Sequence, residues 1–236
     1  MVNIDTVYQK VLTLLNKEQR GYLTPQEYNL MAHKAQMEIF DGYFHDLKTA
    51  YQKPVMMKTD INHGDEIELV HKKMYPFKNN TTTTQAIGDV TFSLPPNCYY
   101  LDSISVDSTS VEVTELTQKE LLYSQSNPLT KATEARFVFT RTGDTITLYP
   151  TPTVETIFRI DFWKKPSTPG WGYVVVKGRA LYNGSSSASQ HFGLHPSEEE
   201  NLVSRILQLS GVIVQKPGLM EVGTVERANI KQEQNN

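Results

Sequence analysis

Hydrophobic and polar residues follow two different periods along this chain, and the change of period divides it into a helical start, a strand-rich middle and a helical end. Near both ends, apolar residues recur every three or four positions, the spacing of one face of an α-helix. Between about residues 53 and 192, short β-branched and aromatic runs alternate with Gly, Pro and Asn, which is typical of strands and turns. The pattern predicts an α+β fold in which an N-terminal helix hairpin and a C-terminal helix form a bundle with an inserted, mostly antiparallel β domain.

The predicted N-terminal hairpin covers residues 1–52. Its first helix should end near Arg20-Gly21, because glycine readily adopts the left-handed conformation that ends helices. The second should begin with a capping box, in which the Thr24 hydroxyl accepts the Glu27 amide, Glu27 reaches back to the cap, and Pro25 occupies the first helical position. The short connection predicts that the two helices form a hairpin.

Apolar residues cover more of the second helix than one core-facing stripe requires. One stripe is expected to belong to the subunit's own core: Tyr28, Met31, Ala32, Ala35, Ile39 and Gly42. The other consists of Leu30, Met37, Phe40, Phe44 and Leu47. Two interpretations stay open, since the helix could be enclosed within one subunit or could use the second stripe to contact another subunit.

The middle region, residues 53–192, is predicted to form the β domain. Its clearest unit is a hairpin with Gly143-Asp144 in the turn, and the tract Asn79–Thr84 is predicted to be a polar loop. A second capping box at Thr117–Glu120 predicts a short helix near 117–126. The candidate strands are Glu66–Val70, Val90–Leu94, Leu101–Asp107, Arg136–Thr140, Thr145–Tyr149, Thr156–Trp163 and Tyr173–Val176.

The C-terminal helix, predicted over residues 193–216, again carries two apolar stripes and should complete the bundle. One stripe is Leu202, Ile206, Leu209 and Ile213, and the other is Val203, Leu207 and Val214. The final segment, 217–236, is too hydrophilic to build a core alone. We expect it to be extended along a neighbouring protomer or ring, with Leu219, Met220, Val222 and Val225 as short apolar anchors.

Composition narrows the possible partners. The 236 residues carry a formal net charge of −3, which does not favour a protein held to nucleic acid by phosphate contacts or to a membrane surface. The first ten residues lack the pattern of a secretory leader, and no apolar run approaches membrane-spanning length, so we expect no membrane association. The single cysteine, Cys98, excludes an internal disulfide and is expected to be a small buried hydrophobe.

Catalytic chemistry has little support in the sequence. His191, His195 and Glu198 resemble a metal site in spacing, but Gly193 and Pro196 interrupt the continuous helix that two histidines four apart would need. Nucleophile elbows, phosphate-binding loops and dinucleotide fingerprints do not occur in the sequence. We therefore predict that the protein is not an enzyme and requires neither metal nor cofactor, with a metal-dependent hydrolase as an open alternative.

One short stretch brings basic and aromatic residues together: Trp163, Lys164, Lys165, Trp171 and Tyr173. Such a cluster could bind single-stranded nucleic acid by base stacking and charge. The intervening Pro166, Pro169 and Gly170 favour another interpretation, a turn whose tryptophans pack onto the sheet edge.

Four phrases, in order and spread over nearly the whole chain, resemble the head-to-tail connector (ring or neck) proteins of tailed bacteriophages, most of all those of crAss-like phages and related podoviruses. They are EQRGYLTPQEYNLMAHKAQMEIFDGYF, LPPNCYYLDSISVD, FWKKPSTPGWGYVVVKGRALYNGSSS and FGLHPSEEENLVSRILQLSGV. Their order and coverage carry the resemblance, because no single phrase is a biochemical signature.

The resemblance implies a structural role in the virion. Copies would assemble, in the bacterial host cytoplasm, into a ring of typically twelve that links the portal to adjacent ring or tail proteins. DNA would pass through the channel without sequence-specific binding. A ring subunit meets a neighbour on each side through different surfaces, which gives the broad apolar stripes a second partner. The candidate interface residues are Leu30, Met37, Phe40, Phe44, Val203, Leu207, Val214, Leu219, Met220, Val222 and Val225.

A different class of function also fits the sequence. The β domain and its aromatic loops could form a receptor- or glycan-binding tail module, which predicts a trimer or a monomer rather than a large ring. Oligomer mass separates the two hypotheses, and metal analysis tests the hydrolase alternative.

Overall fold

The computed structural model describes residues 1–17, 23–52 and 62–213, together with the single positions Val225 and Ala228, and it has the predicted mixed α+β composition. The helices are α1 (Ile4–Lys17), α2 (Pro25–Gln52), α3 (Asn62–Met74), α4 (Gln118–Ser126) and α5 (Glu199–Ile213). The strands are β1 (Lys78–Gln85), β2 (Thr91–Ser93), β3 (Cys98–Val106), β4 (Thr114–Glu115), β5 (Val138–Thr142), β6 (Thr145–Tyr149), β7 (Thr156–Lys164), β8 (Tyr173–Val176) and β9 (Arg179–Tyr182). Single 3₁₀ turns cover Tyr75–Phe77 and Pro196–Glu198.

The chain forms two compact units. The first, which we call the helical unit, comprises Met1–Pro76 and Pro166–Asn236, and the second, the β unit, comprises Phe77–Lys165. The β unit therefore begins and ends inside the limits of 53 and 192 expected from the sequence. The β8–β9 hairpin belongs to the helical unit.

In the helical unit, α5 packs against both α1 and α2, and α3 packs against α2. The predicted core stripe of α2 is buried, with Tyr28 and Ala35 fully enclosed and Met31 and Ile39 nearly so. On the surface, Lys10 of α1 lies 2.8 Å from Glu199 at the start of α5. Hydrogen bonds from Lys10 to the neighbouring glutamates raise the pKa of its ammonium. Burial of these α2 residues confirms the prediction that they belong to the subunit's own core, while Gly42, the last member of the stripe, is half-buried.

Both predicted capping boxes are present. Thr24 Oγ1 accepts the Glu27 amide at 3.3 Å, and the Thr24 amide donates to the Glu27 carboxylate at 3.0 Å. Thr117 and Glu120 repeat this arrangement at the start of α4, which ends at Asn127. Each box satisfies backbone amides that would otherwise have no acceptor within the helix, which is why the sequence locates these two helix starts so well.

The β unit contains two sheets that share one apolar core. One sheet has the order β1-β7-β3 and the other β2-β6-β5-β4, and the pairings are antiparallel except for the parallel pair β4 and β5. Large side chains from both sheets, including Phe158 and Ile160 of β7 and Ile146 and Leu148 of β6, meet in a single cluster. Cys98 is half-buried and packs against this cluster, and burial raises the pKa of its thiol.

Two expectations from the sequence are wrong, and one strand was not predicted. The tract Asn79–Thr84 is not a loop but most of strand β1, which pairs with β7 along its full length. The segment Glu66–Val70 is not a strand but lies within helix α3. No strand was predicted at Arg179–Tyr182, where β9 completes a hairpin with β8. The predicted helix end at Arg20-Gly21 lies outside the described residues.

Candidate interaction surfaces

The β8–β9 hairpin is mounted on a buried aromatic cluster of the helical unit. Trp171, only 2% exposed, has its ring centroid 4.3 Å from that of Tyr8 on α1 and stacks on Tyr173 and Tyr182, the first residue pair of the hairpin. Its indole nitrogen donates a hydrogen bond to Asp5 at 2.9 Å. The indole ring and its N–H therefore connect the hairpin to α1.

Backbone contacts also hold the hairpin base. The Trp171 amide donates to the Asn29 side chain on α2 at 2.7 Å, and Asn29 donates back to the Trp171 carbonyl at 3.4 Å. Gly170 and Gln190 pair through two backbone hydrogen bonds of 3.0 and 2.8 Å, which close the whole segment at its base. A Cβ at Gly170 would approach the Ala188 carbonyl oxygen to 2.3 Å, so the close contact requires glycine.

Beyond this base, the hairpin is apolar and exposed. Val175 is 62% exposed and Leu181 53%, and Val174 and Val176 are similarly open. The two turn residues, Lys177 and Gly178, both have positive φ, as a type I′ hairpin turn requires. Within the described residues, β8 and β9 pair only with each other. The outer part of the hairpin therefore forms an exposed apolar patch, which makes it a candidate interaction surface.

A second exposed surface lies on the β unit, where two loops meet. Residues 86–89 form a tight turn, and the Gly88 amide donates to the Pro152 carbonyl at 3.0 Å, which links this turn to loop 151–155. Two exposed apolar residues, Ile87 and Val154, lie on these loops. The exposed acidic residues Asp89 and Glu155 lie beside them, and Glu134 joins them because it accepts a hydrogen bond from Thr153. We call residues 86–89, 151–155 and Glu134 the acidic loop pair.

The predicted interface residues fall into three groups. Phe40, Val203 and Leu207 are buried among the helices of their own unit, which leaves them little area for a further contact. Leu30 is 75% exposed, Val225 is also exposed, and Met37 and Phe44 are half-buried. The remaining members, Val214, Leu219, Met220 and Val222, lie outside the described residues. Their role in contacts between subunits, like that of the exposed residues, stays a prediction.

The residues that resembled a metal site have separate partners. His191 Nδ1 accepts the Ile4 amide at 3.3 Å, and His195 Nδ1 accepts the Ser197 amide at 3.3 Å as an N-cap. Glu198 is buried and forms an ion pair with Lys73 of α3 at 2.9 Å. In the part of the chain that the structure describes, no three metal-ligating side chains come together.

The basic and aromatic stretch does not present its indoles for stacking. Trp163 is 5% exposed, and Lys78 lies 5.4 Å from its ring centroid. Trp171 is enclosed in the aromatic cluster described above. Lys164 and Lys165 are exposed, but base stacking would need open aromatic faces that neither tryptophan offers.

The chain matches no protein-family model and no curated protein in comparisons with known proteins. Among the described helices, none has the length and apolar character needed to cross a membrane.

Sequence reasoning found only half of the hairpin. It predicted a strand at Tyr173–Val176 but missed its partner and the exposed surface they form together. The available signal was Lys177-Gly178, a turn dipeptide placed between an apolar run and a second short β-prone run. The acidic loop pair had no such signal, because its members are brought together by the pairing of distant strands.

Proposed function

We propose that this chain is a structural subunit of a bacteriophage virion: a head-to-tail connector that assembles as a ring between the portal and the tail, around the DNA channel. The four ordered phrases that resemble connector proteins support the role. The observation that carries it in the structure is the exposed apolar β8–β9 hairpin, held firmly at its base by Trp171.

An exposed apolar ribbon that is anchored at its base suits assembly better than catalysis. Covering side chains such as Val175 with a partner is favourable by on the order of 25 cal/mol for each Å² of apolar surface removed from water. The contacts that already hold the base reduce the ordering that binding would require there. In this proposal the other partners are the portal and adjacent ring or tail proteins, and the protein acts in the virion neck.

Oligomer mass tests the proposal. Mass photometry of the purified full chain should show a species of about 320 kDa, twelve times the 26.8 kDa of one chain. A trimer or a monomer would instead favour the receptor- or glycan-binding alternative.

A matched pair of variants links the oligomer to the hairpin. Val175→Asp should abolish the large species without changing the melting temperature of the subunit, since Val175 is 62% exposed. Leu122→Asp, at a position on α4 that is 61% exposed, introduces the same charge elsewhere and should leave the large species intact. Equal effects of the two substitutions would contradict a specific role for the hairpin.

A further inference from the structure

The β8–β9 hairpin carries positive charge at its free end. Lys177 in the turn and Arg179 directly after it are both exposed, and no acidic residue lies between Tyr173 and Tyr182. The register of the two strands places Val174, Val176 and Leu181 on the same face of the ribbon as Arg179, while Val175 is exposed on the other face. A matching surface would therefore combine exposed apolar residues with carboxylates.

The acidic loop pair has this composition. Ile87 is 71% exposed and Val154 61%, and the carboxylates of Asp89 and Glu155 lie on the same two linked loops. The turn is fixed by the hydrogen bond from Gly88 to Pro152, and Gly88 adopts the positive φ of 85° that the turn needs. Apolar residues with charges beside them are the usual arrangement of the centre and rim of a protein interface.

We propose that the β8–β9 hairpin of one copy docks on the acidic loop pair of the next copy in the ring. This inference rests on the proposed ring function. Lys177 and Arg179 would face Asp89 and Glu155, while the hairpin valines cover Ile87 and Val154. The two surfaces are different, so the contact is heterologous and can be repeated from copy to copy until the ring closes.

Charge complementarity favours a second copy of this chain as the partner, because each chain carries one basic-apolar surface and one acidic-apolar surface. Charges at the rim of such a contact steer association and select the partner, and their contribution falls as salt screens them. The contact should therefore form more slowly at high ionic strength, while the buried apolar residues hold it once it has formed.

Charge exchange tests the pairing in the full chain. The hairpin variant is Lys177→Asp with Arg179→Glu, where aspartate suits the positive φ of residue 177. The loop variant is Asp89→Lys with Glu155→Lys, and the exchange variant combines all four substitutions. A control, Lys119→Glu with Lys131→Glu, reverses two exposed cations of the β unit and changes the net charge as the hairpin variant does.

Mass photometry at fixed concentration and salt measures the ring fraction of each protein, and circular dichroism checks that each is folded. We expect the hairpin and loop variants each to lower the ring fraction at least tenfold, the exchange variant to restore most of it, and the control to match the unmodified chain. Rings that form equally in all variants would overturn the inference and leave the proposed function standing. A ring fraction that falls in the hairpin variant and is not restored in the exchange variant would also overturn the inference, because the hairpin would then have another partner. An unmodified chain that never forms a ring would refute the proposed function itself.

Discussion

Lys73 on α3 and Glu198, in the 3₁₀ turn that precedes α5, form an ion pair whose charged atoms lie 2.9 Å apart and whose side chains are 10% and 2% exposed. Asn201 donates a further hydrogen bond to the second Glu198 oxygen at 2.9 Å. The pair links α3 to the turn before α5, more than a hundred residues away in the sequence. It also accounts for the one buried carboxylate near the histidines that resembled a metal site.

Glu198→Gln should destabilise the helical unit by about 3–5 kcal/mol, because it leaves the Lys73 ammonium buried without a counter-charge. The control is Glu200→Gln, whose side chain is 66% exposed beside Lys10 and should cost less than about 1 kcal/mol. Urea unfolding measures both free energies. Similar values for the two variants would show that burial does not govern the Lys73 pair.

Ile39→Asp should cost about 3–5 kcal/mol, since it places an unpaired carboxylate in the core stripe of α2, where Ile39 is 7% exposed. Leu30→Asp lies on the same helix at a position that is 75% exposed and should cost about 1 kcal/mol or less. Thermal unfolding distinguishes the two. A melting temperature that is unchanged in Ile39→Asp would show that this face of the helix is not core.

Gln36, fully buried on α2, joins two loop segments of the helical unit. Its amide nitrogen donates to the Ser167 carbonyl at 2.8 Å, and its oxygen accepts the Gly193 amide at 3.1 Å. Gln36→Leu keeps the volume but removes both hydrogen bonds, at about 0.5–1.5 kcal/mol each. Urea unfolding should show this loss, while Gln26→Leu, exposed on the same helix, should show almost none. No difference between the variants would mean that Gln36 does not hold these loops.

The two capping boxes predict a pH dependence. Hydrogen bonds from the Thr24 side chain first, and from its backbone second, lower the pKa of Glu27 below its ordinary 4.5. The carboxylate therefore contributes stability that is present above the unfolded pKa and is lost as pH falls through the folded pKa. Thr24→Ala should raise the pKa of Glu27, and the stability difference between this variant and the unmodified chain should shrink on acidification.

The second box supplies the comparison. The Thr117 backbone amide lowers the pKa of Glu120 more than the Thr117 hydroxyl does. Thr117→Ala should therefore also raise the pKa of Glu120, while the backbone amide continues to hold it below its ordinary value. Carbon-13 NMR titration of the two carboxyls measures both shifts, and an unchanged pKa in either variant would contradict the assigned hydrogen bond.

Features of the fold that depend on neighbouring residues were predicted from the sequence. The boxes at Thr24 and Thr117 specify helix starts within four residues, and the strand β6 was predicted with its observed bounds. By contrast, Asn79–Thr84 resembles a loop because it has no apolar residue, yet threonine favours strands and pairing with β7 determines the outcome. Glu66–Val70 alternates like a strand but continues a longer helix.

The candidate surfaces depended still more on distant contacts. The sequence places Trp171 near two prolines and a glycine, but only the fold brings it against Asp5, Tyr8 and Asn29 to support the hairpin. The Lys73–Glu198 pair likewise has no signal in either local sequence. Side chains that meet across long separations are set by packing, which single-sequence patterns do not record.

Electron microscopy of the purified full chain tests most directly whether the chain assembles into a ring. The proposal predicts end-on views of a rotationally symmetric ring, typically of twelve subunits, with an open central channel wide enough for a DNA duplex. Monomers, trimers or particles without a channel, at concentrations where the protein is folded, would contradict it.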